Sequence, residues 1–96
     1  MKSSTTITTE EAQRIAKRLT NHWKHKFDIE TQDQVFKIFM PKATIQLETH
    51  DISLDVSIEA VKEITQEELT HLEQVVVDHI NRMVQANYEA EWKQST

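Results

Sequence analysis

The sequence predicts an α+β fold in which an antiparallel sheet of four to five strands carries two helices on one face. Three observations support this prediction. Two segments repeat apolar residues with the period of a helix, and the stretch between them alternates apolar and polar residues, as half-buried strands do. The breaks within that stretch are short, which favours hairpins and an antiparallel sheet. The predicted order of elements is (β)αββββαβ.

The two helices are predicted to begin alike, at "ITTEEAQRI" and "ITQEELTHL". In each segment a threonine stands three residues before a glutamate, which is the spacing of a capping box, and an isoleucine precedes the threonine. We therefore expect a first helix from near Thr8 to about His25. The second helix should run from near Thr65 to about Ala86.

Four strands are predicted between the helices, in the segments "FDIET", "VFKIFM", "ATIQLET" and "ISLDVSIEA". They break at residues 32–34, 40–42 and 50–51, although none of these breaks contains the glycine that hairpin turns usually prefer. In "NYEAEW" the apolar residues share one face, which predicts a short closing strand at residues 87–92. Thr5–Ile7 is a candidate edge strand.

Composition excludes several kinds of chemistry. The 96 residues fit a single domain, residues 1–96, with one modest core. Without cysteine there is no disulfide and no thiolate, and without glycine a phosphate loop, a dinucleotide fingerprint or a nucleophile elbow cannot take its usual form. No run of about 18 apolar residues and no signal-peptide pattern is found, so we expect no membrane contact and a cytoplasmic location.

Charge is unevenly distributed along the chain, whose formal net charge is −5. Between Ala12 and Lys26 there are five basic residues and no acid, whereas Glu48 to Glu91 contains eleven acids and two basic residues. The acidic total argues against nucleic-acid binding. The basic stretch is either a solvated helix face or a surface for an anionic partner. The protein is expected to be a monomer or a homodimer.

Three histidines, His22, His25 and His79, are candidate ligand- or metal-binding residues. The apolar stripe of the first helix passes through Leu19 and Trp23, and His22 lies on its flank. His79 occupies the same flank of the second helix. If the helices run antiparallel, equal flanks either face each other or both face outward. In the first case His22 and His79 meet across the seam between the helices, with His25 one turn away.

Each candidate has a structural interpretation beside the functional one. Imidazole nitrogens at this spacing could bind iron, zinc or haem, but a histidine on the flank of an apolar stripe is more often a boundary residue. Asp78 is next to His79 in the chain but about 100° away around the helix, which makes it a poor orienting partner. Trp23 and Trp92 are predicted to be core residues. His50 with Asp51 is interpreted as a turn, and His71 as an exposed helix residue.

Four segments, "NHWKHKFDIE", "IQLETHDISLDVSIEA", "LEQVVVDHINRM" and "YEAEW", resemble the bacterial domain-of-unknown-function family 2218 over roughly residues 10–93. The specific matches are an H-W-x-H-K-F segment and a V-x-D-H segment, here His22, Trp23, His25, Lys26, Phe27, Val76, Asp78 and His79. The family usually carries glycines in its central hairpin turns, which this sequence lacks. The resemblance implies no established activity. It does imply a genomic neighbourhood of siderophore uptake genes, including siderophore-interacting reductases, and hence iron handling.

Two classes of function remain open. The first is an iron-associated binding domain that takes up a metal, haem or a ferric siderophore at the three histidines, or serves a siderophore-interacting reductase. Its supporting residues would be Trp23, Lys26 and Asp78. The second is a non-catalytic interaction module that docks a protein partner through the basic helix or the acidic remainder. An enzyme comes third, after these two classes, because no nucleophile and no paired carboxylates converge visibly in the sequence.

Overall fold

The computed structural model describes residues 1–95 and confirms the predicted order of elements. The elements are β1 (Lys2–Thr8), α1 (Ala12–Trp23), β2 (Asp28–Gln32), β3 (Val35–Phe39), β4 (Ala43–Thr49), β5 (Ser53–Ala60), α2 (Gln66–Val84) and β6 (Lys93–Ser95). The described residues therefore form an α+β fold with six strands, more than the four to five that the sequence predicted.

All six strands belong to one antiparallel sheet in the order β2-β3-β4-β5-β1-β6. Hairpins at the predicted breaks join β2, β3, β4 and β5, which follow one another along the chain. The sequence has no glycine for these turns. In the β2–β3 turn, Asp33 takes the left-handed conformation with φ 55°. Aspartate tolerates this region better than most residues because its short side chain can bond to nearby backbone.

One face of the sheet forms the core and the other is open. Leu54, Val56 and Ile58 of β5 are almost completely buried, and they belong to one apolar cluster with Leu19 of α1 and Ile80 of α2. Both helices therefore cover the same face, as the alternating pattern predicted. On the opposite face the strands present mainly polar side chains.

The two helix starts differ, although their sequences are alike. The capping box of α2 is confirmed: the Thr65 hydroxyl accepts from the Glu68 N–H, and the Glu68 carboxylate accepts from the Thr65 N–H, both at 3.0 Å. The predicted start near Thr8 is wrong. Thr8 is the last residue of β1, paired with Ser53, and α1 begins at Ala12 without a side-chain cap.

Both helices also end two residues before the predicted positions. α1 ends at Trp23, and its last turn is followed by an irregular turn at residues 24–26. α2 ends at Val84, where Gln85 takes the left-handed conformation with φ 52° that more often falls to glycine. Neither helix within residues 1–95 is both long enough and apolar enough to cross a membrane.

The closing strand predicted at residues 87–92 is wrong, although its alternation is real. Tyr88, Ala90 and Trp92 are half-buried and the residues between them are exposed, yet the segment forms no ladder. The side chain of Asn81 explains this for Tyr88: its amide donates to the Tyr88 carbonyl at 3.1 Å and accepts from the Tyr88 N–H at 2.8 Å. The backbone is thus satisfied by a side chain instead of a strand.

The closing strand of the predicted order is β6, which lies just after the predicted segment, at the last three described residues. β6 pairs with Lys2–Ser4 of β1, whereas the predicted edge residues Thr5–Ile7 pair only with β5. The two tryptophans also differ. Trp23 is only 5% exposed, which confirms it as a core residue. Trp92 is half-buried and packs against the core from outside.

Candidate functional site

The seam between the two helices brings the last turn of α1 against α2. The guanidinium of Arg18 donates to the carbonyl of Met83 at 2.7 Å. One turn further along α1, the ring of His22 lies 5.5 Å from the ring of His79, centroid to centroid. Positions increase along one helix as they decrease along the other, so the helices are antiparallel. The predicted approach of His22 and His79 across the seam is confirmed.

His79 is held in one orientation by its own helix and by an aromatic neighbour. Its ring is half-buried and lies 5.0 Å from the ring of Trp23. Its Nδ1 is 2.7 Å from the carbonyl oxygen of Val75. A carbonyl can only accept, so Nδ1 carries the proton, and in the neutral imidazole the lone pair is on Nε2. His79 therefore presents one nitrogen that is free to accept a proton or a metal ion.

Trp23 lies on the buried side of the seam, and His22 lies on its exposed side. Trp23 belongs to the core and meets Phe27 edge to face at 6.4 Å, which fixes the plane of the indole. The exposed ring of His22 lies 6.4 Å from Trp23. The site thus has one imidazole held by a hydrogen bond, one exposed imidazole, and the indole of Trp23 next to both.

The other predicted site residues do not join this pair. His25 and Lys26 are exposed in the turn that follows α1. The carboxylate of Asp78 accepts from the Gln74 side chain at 2.8 Å and does not orient His79, as its position around the helix predicted. Within residues 1–95, His25 and His79 belong to no group of three residues close enough to share one metal ion. The structure brings together two of the three candidate histidines.

A basic hollow lies on the side of α1 that faces β2. It has a volume of about 440 Å³ and is lined by Lys17, Arg18, Thr20, Asn21, Lys24 and Ile29. Among residues 1–95, Lys17 and Lys24 have no carboxylate within 4 Å. Lys17 and Lys24 therefore form an unneutralised basic surface on α1, whereas Arg14 of the same stretch is paired with Glu11 at 2.8 Å. Arg18 connects this surface with the helix seam.

A second cluster was missed by the sequence analysis. Glu48, His50 and Asp55 place a ligand atom each within 4.8 Å of one another at the β4–β5 hairpin. His50 was interpreted only as a turn residue, and it does lie in the turn. The signal was available: Glu48 and His50 are two apart at the end of a strand, and a short hairpin puts Asp55 directly opposite Glu48.

The comparisons with known proteins give a family and a fold. Residues 4–93 match the family model described as an uncharacterized protein conserved in bacteria, DUF2218. Among solved structures, the NMR structure of PA4090 from Pseudomonas aeruginosa is similar, with a TM-score of 0.77 and 28% sequence identity. The similarity covers 96% of this chain and 94% of that chain. No curated protein matches the sequence.

Proposed function

The chain belongs to the DUF2218 family of uncharacterized proteins conserved in bacteria, and from that premise we propose that it binds iron, as the ion or within haem or a siderophore, at His22 and His79. The observation that carries the proposal is the 5.5 Å approach of the two rings across the helix seam. The implied genomic association with siderophore uptake supports iron over other metals. Zinc binds the same kind of ligand and serves as a reference ion.

The orientation of His79 supports metal binding. Metal-binding histidines usually donate their second ring N–H to a carbonyl or carboxylate, which fixes the ring and leaves the other nitrogen as the ligand. The bond from Nδ1 of His79 to the Val75 carbonyl has this form. The proposed ligand atom is therefore Nε2 of His79, with either nitrogen of the exposed His22 as the second.

The small number of protein ligands indicates the form in which the metal is bound. His22 and His79 supply two nitrogens, and residues 1–95 add no third ligand at the seam. Four or more coordination positions must be filled around zinc or iron, so the remaining ligands come from water or from a chelating molecule. The guanidinium of Arg18, which reaches the carbonyl of Met83 across the seam, favours an anionic chelate there. A metal complex thus fits the site better than a bare ion.

Titration of wild-type protein and alanine variants tests the proposal. Ferrous iron under anaerobic conditions, zinc and haem should each be added to wild type, His22→Ala, His79→Ala and His25→Ala. His71→Ala is the matched control, because it removes an exposed imidazole elsewhere on α2. We expect at least roughly tenfold weaker binding in His22→Ala and His79→Ala, and unchanged binding in His25→Ala and His71→Ala. Identical isotherms in all five proteins would contradict metal binding at the seam.

A non-catalytic interaction module is the alternative function, and the unneutralised basic surface of α1 supports it. A protein partner with an acidic patch, such as a reductase, would dock on Lys17 and Arg18. Charge reversal at these two positions should abolish binding of such a partner, whereas His22→Ala and His79→Ala should leave it intact. Sensitivity to the histidines and indifference to charge reversal would favour the metal site instead.

A further inference from the structure

The open face of the sheet carries a cluster that is separate from the helix seam. Glu48 of β4 and Asp55 of β5 are direct partners in the ladder, and His50 follows at the turn. Nε2 of His50 lies 3.0 Å from Oε2 of Glu48 and 3.1 Å from Oδ2 of Asp55. One imidazole nitrogen thus stands between two carboxylates that project from neighbouring strands.

The two carboxylates of this cluster form no ion pair with a lysine or arginine among residues 1–95, although Lys2 and Lys93 line the same hollow. Like charges directly opposite each other destabilise a sheet. His50 is the shared partner of Glu48 and Asp55. A single N–H on Nε2 has to serve both carboxylates. The imidazole also distinguishes this cluster from an ordinary acidic patch, because it adds a nitrogen ligand to the two oxygens.

The spacing of the three ligand atoms suits one metal ion. Nitrogen and oxygen ligands about 2.0–2.2 Å from a tetrahedral zinc ion stand roughly 3.3–3.6 Å from one another. The two separations at Nε2 of His50, 3.0 and 3.1 Å, are slightly shorter than this range, and a small movement of the three side chains would admit the ion. The Thr6 hydroxyl donates to Oδ1 of Asp55 at 2.7 Å, which leaves Oδ2 directed toward His50. An ion could therefore replace the shared proton without a change of backbone register.

We propose that Glu48, His50 and Asp55 form a binding site for a divalent first-row transition metal, and zinc is the ion that we use to test it. Imidazole selects such metals over magnesium and calcium, and the two carboxylates neutralise the charge of the ion. Glu48 and Asp55 also line a hollow of about 560 Å³ that includes the hydroxyls of Ser4 and Ser57. Water or a small polar ligand can occupy the remaining coordination positions from that side.

Zinc titration followed by amide NMR spectra and by calorimetry tests this site. In wild type, the amides of residues 48–55 should shift in a saturable way. His50→Ala and Asp55→Asn should each weaken zinc binding roughly tenfold or more. Asp55→Asn keeps an acceptor for the Thr6 hydroxyl, so it changes the charge of the ligand while it preserves the local structure. His71→Ala is the control for loss of an exposed imidazole and should bind as wild type does.

The double variant His22→Ala, His79→Ala separates this proposal from the seam. Zinc should bind to the hairpin of this variant with wild-type affinity and shift the same amides. Equal affinity in His50→Ala and wild type, shifts confined to the helix seam, or no saturable binding in wild type would each overturn the proposal. The hairpin site and the seam site can fail independently, because each set of variants leaves the other cluster intact.

Discussion

The helix seam and the β4–β5 hairpin each present a histidine to a possible ligand, but they hold it in different ways. At the seam, His79 is half-buried, packs 5.0 Å from Trp23, and donates to a backbone carbonyl. At the hairpin, His50 is exposed and contacts two carboxylates, Glu48 and Asp55. The first ring belongs to the packing of the fold, whereas the second lies outside it.

This difference determines how much stability a substitution at each site should cost. Removal of a buried or half-buried aromatic side chain exposes the core and costs free energy of unfolding. Removal of an exposed side chain costs little, because water replaces its contacts. Substitution of buried or half-buried side chains at the seam should therefore lower stability as well as change binding, whereas substitution at the hairpin should change metal affinity with little effect on stability. The following predictions test this contrast, beginning with the largest expected effect.

Trp23→Ala should have the largest effect on stability. The indole is 5% exposed and supports both His22 and His79. Its loss should lower the free energy of unfolding by about 3–5 kcal/mol, out of a total of roughly 5–15 kcal/mol for a domain of this size. Urea denaturation followed by circular dichroism measures the change. His50→Ala should alter it by less than about 0.5 kcal/mol, and comparable losses in the two variants would remove the distinction between the sites.

Trp92→Ala is the matched control for the indole, because Trp92 is half-buried at the margin of the core. We expect a smaller loss, about 2 kcal/mol. This variant retains Trp23 as its single tryptophan. Its emission should lie well to the blue of tryptophan in water, since Trp23 is buried. Emission like that of free tryptophan would contradict the burial of Trp23.

The two helix starts show where local sequence is sufficient and where it is not. Both segments carry the same capping-box spacing, and at Thr65 it forms the predicted cap. At Thr8 the same pattern fails, because Thr8 pairs with Ser53 in the sheet and its backbone is already committed to β1. A capping box is a local motif, whereas pairing between β1 and β5 depends on residues more than 40 positions apart. The motif alone therefore does not show that Thr8 pairs in the sheet instead of capping the helix.

The strands were predicted better than the end of the chain, for a related reason. The four central strands are joined by short turns, so their alternating patterns fix both position and register. Residues 87–92 have the same alternation, but the Asn81 side chain bonds to the backbone of Tyr88. Alternation reports which face is buried and does not require a neighbouring strand. The three residues of β6 are too few for an alternating pattern to locate the closing strand.

The two candidate sites also differ in how much of their arrangement could be predicted from the sequence. The helical period and antiparallel packing place His22 and His79 on equal flanks, but they leave open whether these flanks face each other or solvent; the structure shows that they face each other. The hairpin cluster requires the register of β4 against β5 as well, since Glu48 and Asp55 meet only when the turn has its observed length. His25 was expected near the pair because the helix was extended past Trp23, where α1 ends.

Within the seam, His79→Ala should cost more stability than His22→Ala. His79→Ala removes the hydrogen bond to the Val75 carbonyl and the contact with Trp23. We therefore expect the free energy of unfolding to fall by about 1–2 kcal/mol. His22 is exposed, so its replacement should cost less than about 0.5 kcal/mol. Urea midpoints of the two variants at equal slope measure the difference. The reverse order would mean that His22 carries the packing of the seam.

The smallest expected effect lies at the hairpin, where its sign is more informative than its size. Glu48→Gln removes one of two like charges that face each other across β4 and β5. In metal-free buffer at low salt it should raise the free energy of unfolding by a few tenths of a kcal/mol, because the repulsion is relieved. Added salt should reduce the gain, since it screens exposed charges. Thermal and urea unfolding in the presence of a chelator provide the measurement.

Glu59→Gln is the matched control, because Glu59 is also on the open face but stands opposite Lys2 of β1. Here the same substitution removes one of two opposite charges that stand across the ladder from each other, so stability should fall slightly or stay unchanged. Opposite signs at residues 48 and 59 would locate an excess of negative charge at the hairpin, which is the condition for attracting a cation. The same sign at both positions would indicate that His50 already neutralises the carboxylates, and the electrostatic argument for a metal ion at this cluster would then be lost.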